Sequence, residues 1–158
     1  MRVGFGYDVH PLVSGREMII GGVSIAHEKG LGGHSDADVL LHAIGDAILG
    51  AAALGDLGKH FPDKNAHYAN ISSLILLKEI AKLLSKKRYK LNNVDSTVVL
   101  EKPKLAPHIG QMKKNIANCL DLELDDVSIK ATTSEKMSFV GREEGVAAFA
   151  VVLIEKML

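Results

Sequence analysis

The chain has 158 residues, enough for one ordinary domain with a full core and too few for two. Hydrophobic residues make up 47% and charged residues 24%, a globular balance that excludes intrinsic disorder. Nineteen basic residues offset nineteen acidic ones, and the densest basic run, Lys86-Lys87-Arg88, reads as the solvated end of a helix, so no nucleic-acid partner is expected. The longest apolar run, residues 146–154, is about half of what a membrane-spanning helix needs, so no membrane association is expected. The single cysteine, Cys119, has no intrachain disulfide partner, which points to a reducing compartment. It falls on the apolar spacing Ile109, Met112, Ile116, Leu120 and reads as a buried structural thiol rather than a nucleophile. No charged, apolar, small-residue succession opens the chain, so no secretory signal is read.

In chain order, residues 2–12 alternate and read as a strand, and residues 17–25 as a second strand after a Ser14-Gly15 turn. Gly30 to Gly33 reads as a glycine-rich loop. Ser35 is expected to cap a helix running to about Leu54, with Asp38 three residues on as the acidic variant of a capping box. Gly55-Asp56-Leu57-Gly58 ends that helix, and a polar loop through Phe61, Pro62 and Asp63 follows. Leu77, Ile80, Ala81 and Leu84 fall at i, i+3, i+4, i+7 in a second helix over residues 71–87. Residues 93–101 form a β-branched strand, and Pro107 suits the first turn of a third helix ending near Leu120. Residues 127–133 and 145–155 are the last two strands, the second apolar on both faces as a central strand would be. The pattern predicts an α+β two-layer sandwich, a mixed β-sheet with helices packed on one face, in a single domain over residues 1–158. There are no repeats, low-complexity tracts or linkers.

Asp8 and His10, two apart in G-Y-D-V-H, point to one face of the first strand, and His42 closes S-D-A-D-V-L-L-H on the helix after it. One carboxylate and two imidazoles form a ligand set of the kind that holds a catalytic zinc and leaves its fourth position open. Asp38 and Asp46 lie four residues either side of His42, where carboxylates that orient metal-bound imidazoles would sit. Asp38 equally reads as a helix cap, and spacing alone leaves the metal site and ordinary satisfied side chains both open. Ala131-Thr132-Thr133-Ser134-Glu135, at a strand end, offers hydroxyls and turning amides to a phosphate, with Glu135 able to hold a hard cation; without context an ordinary hydrogen-bonded turn is the favoured reading. Glu101-Lys102-Pro103-Lys104 places two ammonium groups in a loop, and Arg142 supplies a guanidinium suited to phosphate, with solvated surface the default reading for each.

These blocks occur together and in order: G-Y-D-V-H, the run over residues 34–47, G-A-A-A-L-G-D-L-G over 50–58, H-F-P-D over 60–63, K-A-T-T-S-E-K over 130–136 and F-V-G-R over 139–142. In this the chain resembles the 2-C-methyl-D-erythritol 2,4-cyclodiphosphate synthase family. The resemblance implies a step of the non-mevalonate isoprenoid pathway, closing 4-diphosphocytidyl-2-C-methyl-D-erythritol 2-phosphate to the cyclic diphosphate with release of CMP. It implies a homotrimer with active sites between subunits. It also implies zinc on Asp8, His10 and His42, and a second divalent cation, magnesium or manganese, on Glu135. His34 and Thr133 match the pair that steadies the transition state. Asp8, His10, His34 and Ser35 match substrate contacts. Asp56, Leu57 and Gly58 with Phe61, Pro62 and Asp63 match the methylerythritol-phosphate loop. Leu100, Pro103, Lys104, Leu105 and Ala106 match the cytidine pocket, and Thr132, Thr133, Ser134 and Glu135 the diphosphate site. Phe139 and Arg142 match the lining of a central trimer cavity able to take an isoprenoid diphosphate, although Ser138 stands where the family pattern has glycine.

A cytoplasmic location follows, or a plastid stroma if a transit peptide has been removed. No cytidylyltransferase domain of the kind fused in some relatives fits in the length. Two rival functions share the same residues: a zinc phosphoesterase that hydrolyses a nucleotide diphosphate, and a non-catalytic trimer that binds isoprenoid diphosphates.

Overall fold

The computed structural model describes residues 1–62 and 64–157. In chain order the elements are β1 (Arg2–Ser14), β2 (Met18–Ile20), β3 (Val23–Ile25), β4 (Lys29–Leu31), α1 (Val39–Ala51), α2 (Leu57–His60), α3 (Ser73–Lys86), β5 (Tyr89–Val99), α4 (Ile109–Leu120), β6 (Val127–Thr132), α5 (Ser138–Gly141) and β7 (Gly145–Lys156). Five strands form one sheet in the order β4-β1-β7-β5-β6, and β2 and β3 form a separate hairpin. Among the described residues only β5 and β6 run parallel in this sheet; the β4–β1, β1–β7 and β7–β5 pairs are antiparallel. The helices α1, α3 and α4 cover one face. This is the expected mixed-sheet α+β layer pair, with β7 at its centre.

One helix sets the arrangement. Ten of the thirteen residues of α1 are buried, because it lies between the sheet and α3. It can approach β1 so closely because β1 carries Gly4 and Gly6 on that face. A Cβ on Gly4 would stand 1.9 Å from the carbonyl oxygen of Ala47, and one on Gly6 1.9 Å from that of Ala43. The four residues from Ala43 to Ala47 rise about 6 Å along the helix, close to the span of two strand residues, so glycine and alanine remain in step along the contact.

Several boundaries differ from the sequence expectation for local reasons. The expected strand over 17–25 breaks at Gly21-Gly22, both at positive φ, where the two amides turn inward onto the Asp38 carboxylate at 3.0 and 2.7 Å. Part of the expected glycine loop pairs as β4 with β1, and at Gly30 a Cβ would come within 2.3 Å of the Arg16 and Glu17 carbonyls. The first long helix starts at Val39 with Asp38, not Ser35, as its cap: Asp38 accepts the Leu41 amide at 3.1 Å, and Ala37 at φ 56 interrupts any earlier turn. Pro107 lies before α4 rather than in its first turn, and the short α2 and α5 occupy stretches where the sequence pattern predicts no helix. Cys119 is buried as expected, its thiol 3.1 Å from the Leu74 carbonyl, and burial pushes its pKa up.

The sheet face away from the helices is apolar and exposed. Val3, Phe5, Tyr7 and Val9 of β1 lie beside Phe149 and Val151 of β7, with the Phe149 ring centroid 5.1 Å from that of Tyr7 and 6.4 Å from that of Phe5. Among the described residues, no helix is long and apolar enough to cross a membrane.

Gly6→Ala must drive α1 off the sheet, since the added methyl meets a backbone carbonyl that cannot turn aside. We expect a loss of about 3 kcal/mol in denaturant unfolding. An unchanged midpoint would contradict the close-approach account.

Candidate active site

The glycine face of β1 continues into Asp8 and His10, so both side chains emerge under the first turn of α1, which carries His42. The three ligand-type atoms form a nearly equilateral triangle. Asp8 Oδ2 lies 2.9 Å from His10 Nε2 and 3.2 Å from His42 Nδ1, and the two nitrogens are 3.1 Å apart. Ligands about 2.0–2.1 Å from a tetrahedral zinc stand about 3.3 Å from each other, so the triangle fits one face of such a site. Among the described residues, this is the one group of three such side chains whose ligand atoms lie within 4.8 Å of one another.

The imidazole of His10 is oriented for this task. Its Nδ1 lies 2.8 Å from the Gly32 carbonyl, which can only accept, so Nδ1 carries the proton and Nε2 presents a lone pair in the neutral ring. Burial works against charge on His10, but the hydrogen bond and charge of Asp8, with the Gly32 carbonyl, outweigh it and hold its pKa above the usual histidine value. Burial likewise raises Asp8, while its close polar contacts with the His10 and His42 imidazoles more than reverse that and leave it below the usual carboxylate range.

The triangle opens on a cavity of about 270 Å³ lined by His34, Ser35, Asp46, Leu57, Gly58 and Phe61, with Gly33, Tyr68 and Leu76 completing the wall. His34 Nε2 lies 3.2 Å from the Asn65 carbonyl. Asp56 caps α2 through the Lys59 amide at 3.0 Å, which presents Leu57 and Gly58 to the cavity. Pro62 follows, exposed, and Asp63 lies outside the described residues.

A second cavity, of about 220 Å³, is lined by Leu100, Glu101, Pro103, Lys104, Leu105, Ala106, Thr132 and Thr133 among others. Beside it, Glu101 accepts the Ser134 amide at 2.9 Å, and Thr133 Oγ1 lies 3.4 Å from Glu135 Oε1. The two cavities share no lining residue. Thr132 and Thr133 line the second cavity, and none of Thr132, Thr133, Ser134 and Glu135 is among the described residues lining the cavity of the triangle. Phe139 and Arg142 line neither cavity, and Arg142 makes a two-pronged ion pair with Glu144 at 2.9 and 3.1 Å.

Neither acidic residue expected to orient His42 does so. Asp38 is fully buried and spends its carboxylate on the Gly21, Gly22 and Leu41 amides; burial pushes its pKa up to about 6 against the opposing pull of those N–H groups. Asp46 turns to the Leu57 amide at 2.8 Å, and its pKa is raised by burial and then by Asp56 and Asp8. The Nε2 of His42 instead faces the hydroxyls of Ser73 at 2.9 Å and Ser35 at 3.2 Å. Ser73 was not foreseen, because its only sequence signal was a place at the start of a helix.

The family model of the YgbB family matches residues 1–155. A 2-C-methyl-D-erythritol 2,4-cyclodiphosphate synthase of Chloroherpeton thalassium is 62% identical over 157 residues, covering 99% of this chain and 100% of the relative. That of Chlorobium phaeobacteroides is 60% identical over 156 residues, covering 99% and 98%. Among solved structures, IspF of Plasmodium falciparum in complex with CDP superposes with a TM-score of 0.87 at 32% identity, covering 99% of this chain and 97% of that one. The bifunctional IspDF of Campylobacter jejuni gives a TM-score of 0.95 at 40% identity; it is matched over 99% of this chain but only 42% of its own length.

A metal ligated by His10 must displace any proton on Nε2, and Asp8 holds that proton more tightly than an ordinary histidine does. Affinity for a divalent transition metal should therefore fall as pH drops below the raised pKa, by about tenfold per pH unit for a single displaced proton. Competition titrations of metal-stripped protein between about pH 6 and 8 check this, and a flat profile would contradict it.

Proposed function

The chain belongs to the YgbB family, and from that premise we infer that it carries out the reaction its relatives are named for, as a 2-C-methyl-D-erythritol 2,4-cyclodiphosphate synthase of the non-mevalonate isoprenoid pathway. The observation that carries the reading onto these residues is the Asp8–His10–His42 triangle facing a cavity bordered by His34 and Ser35.

The substrate is 4-diphosphocytidyl-2-C-methyl-D-erythritol 2-phosphate. Its 2-phosphate oxygen bonds to the β-phosphorus while the bond from that phosphorus to CMP breaks. No water enters, and no protein nucleophile is needed. The barrier is then the repulsion between two anionic phosphates and the cost of ring-closing orientation, so the protein supplies position and positive potential. Asp8, His10 and His42 would hold zinc, which supplies Lewis-acid neutralisation of phosphate charge. Glu135 would hold magnesium or manganese on the diphosphate.

The remaining residues bind and orient. Leu100, Pro103, Lys104, Leu105 and Ala106 form the cytidine pocket, in keeping with the CDP held by the Plasmodium falciparum IspF. Thr132, Thr133 and Ser134 take the diphosphate, and Thr133 with His34 steadies the transition state. Leu57, Gly58 and Phe61, framed by Asp56 and Pro62, receive the methylerythritol end; Asp63 belongs to the same loop by sequence.

Because the two cavities are separate within one chain, a complete site requires a second copy. We propose a homotrimer in which the metal half of one subunit faces the nucleotide half of its neighbour. The exposed apolar stripe of Val3, Phe5, Tyr7, Val9, Phe149 and Val151 supports burial against copies of itself. Phe139 and Arg142 are proposed to line a cavity on the trimer axis that accepts an isoprenoid diphosphate. The bacterial source of the curated relatives supports a cytoplasmic location, and the plastid alternative gains no support from them.

Phosphorus NMR of turnover on the cytidyl substrate tests the reaction: cyclic diphosphate and CMP are expected, with activity lost to a chelator and to His42→Ala. Linear phosphate products would establish the phosphoesterase instead, and binding without turnover the non-catalytic trimer. Light scattering tests the assembly, with a trimer expected and Tyr7→Asp expected to dissociate it with loss of activity. A fully active monomer would overturn the shared site.

A further inference from the structure

We propose that Asp36 and Ser73 are positioning residues that fix the tautomer of His42, and that the metal affinity of the centre depends on this pair. The inference rests on the metal reading of the triangle. Neither residue lines the cavity wall of the triangle, and both act through His42.

The direction of each hydrogen bond follows from its neighbours. The Asp36 carboxylate accepts the Ser73 amide on Oδ2 at 2.9 Å and the Asp38 amide on Oδ1 at 3.2 Å. Both oxygens thus already act as acceptors, and Oδ1 lies 2.5 Å from the Ser73 hydroxyl. The hydroxyl must therefore donate to Asp36, which leaves Ser73 Oγ only lone pairs to offer His42 Nε2 at 2.9 Å. His42 then carries its proton on Nε2 and presents a lone pair at Nδ1, the atom facing Asp8 and His10. The Ser35 hydroxyl, 3.2 Å from the same Nε2, accepts the Ala37 amide, and its own proton is free to rotate, so it does not fix a direction.

With His10 held by Gly32 in the opposite tautomer, Nε2 of His10, Nδ1 of His42 and Oδ2 of Asp8 become three acceptors at mutual distances of 2.9–3.2 Å. Three lone pairs so close repel unless a cation lies among them. The Asp36–Ser73 pair holds the ring in the state in which a metal relieves that repulsion.

Asp36→Asn gives a sharp consequence. One carboxylate oxygen becomes an NH₂ group, and at Oδ2 it would oppose the fixed Ser73 amide at 2.9 Å. At Oδ1 it opposes only the longer Asp38 contact and a hydroxyl that can rotate. The amide therefore faces Ser73 Oγ as a donor, and the hydroxyl turns its proton toward His42. The chain of bonds reverses, and His42 is driven to the Nδ1–H tautomer, which blocks its ligand atom.

The test uses the full chain stripped of metal, with zinc as the probe, competition against a chromophoric chelator as the affinity readout and ¹⁵N-histidine NMR as the tautomer readout. The unaltered protein should bind zinc with His42 protonated at Nε2. Ser73→Ala and Asp36→Asn should each weaken zinc binding by about 10–100-fold in metal-free protein that remains folded. The apo-state His42 signal should shift to mixed tautomers in the first and to Nδ1–H in the second. Zinc affinity within about twofold of wild type in either folded variant would overturn the positioning role while leaving the metal centre intact. Failure of the unaltered protein to bind zinc would remove the metal reading itself, and the proposal with it.

Discussion

The contact between α1 and β1 is the constraint on which the site depends. Gly4 and Gly6 have no side chain, so the Ala43 and Ala47 carbonyls rest against the strand backbone. Once that interval is fixed, Asp8 and His10, on the same face of β1, can only meet the first turn of α1. A helix one side chain further away would leave His42 several ångströms from Asp8 Oδ2 rather than at 3.2 Å. The small residues of G-F-G and of the helix are thus as necessary to the triangle as its ligands, although none of them touches it.

The aspartates around α1 are assigned by what each can reach. Asp38 at the helix cap gathers the Gly21, Gly22 and Leu41 amides and ties the β2–β3 hairpin to the helix start. Asp46, one turn beyond His42, holds the Leu57 amide and so fixes the start of α2 beside the cavity. Asp36, outside the helix, is the one that reaches His42, through Ser73. A buried amide without an acceptor costs about 1–3 kcal/mol, which explains why Asp38 stays on its three N–H groups rather than turning to an imidazole.

The layer architecture was legible because it is written in periods: the 3.6-residue spacing of Leu77, Ile80, Ala81 and Leu84, and the unbroken apolar run of β7. The triangle was legible in part, since Asp8 and His10 sit two apart on a strand and His42 closes a strong helical pattern. What supports it was not. The Gly32 carbonyl carries no side-chain signal, and Ser73 meets His42 across 31 residues through a tertiary contact. Ser35 looked like a cap because it precedes an apolar run, but Ala37 in a left-handed conformation, φ 56, breaks the turn and leaves Ser35 beside the Asp8–His10–His42 triangle.

Ser138 carries the same lesson in a different form. Glycine was expected there, and the residue has φ 61 at the start of α5, just after a turn in which Glu135 at φ 53 and Lys136 at φ 62 are also left-handed. Each such non-glycine residue costs about 1–2 kcal/mol, and persists only where surrounding contacts over-determine it. Here the loop is closed by the Ser134 hydroxyl on the Met137 carbonyl and by Glu101 on the Ser134 amide, and it folds so tightly that a Cβ on Gly141 would stand 2.0 Å from the Lys136 carbonyl carbon. The strain falls in the turn beside Thr133, where the Thr133 Oγ1–Glu135 Oε1 contact at 3.4 Å and the Glu101 carboxylate on the Ser134 amide hold one arrangement. The triangle is thus set by the close approach of α1 to β1, and the turn by hydrogen bonds that hold its backbone in a strained conformation.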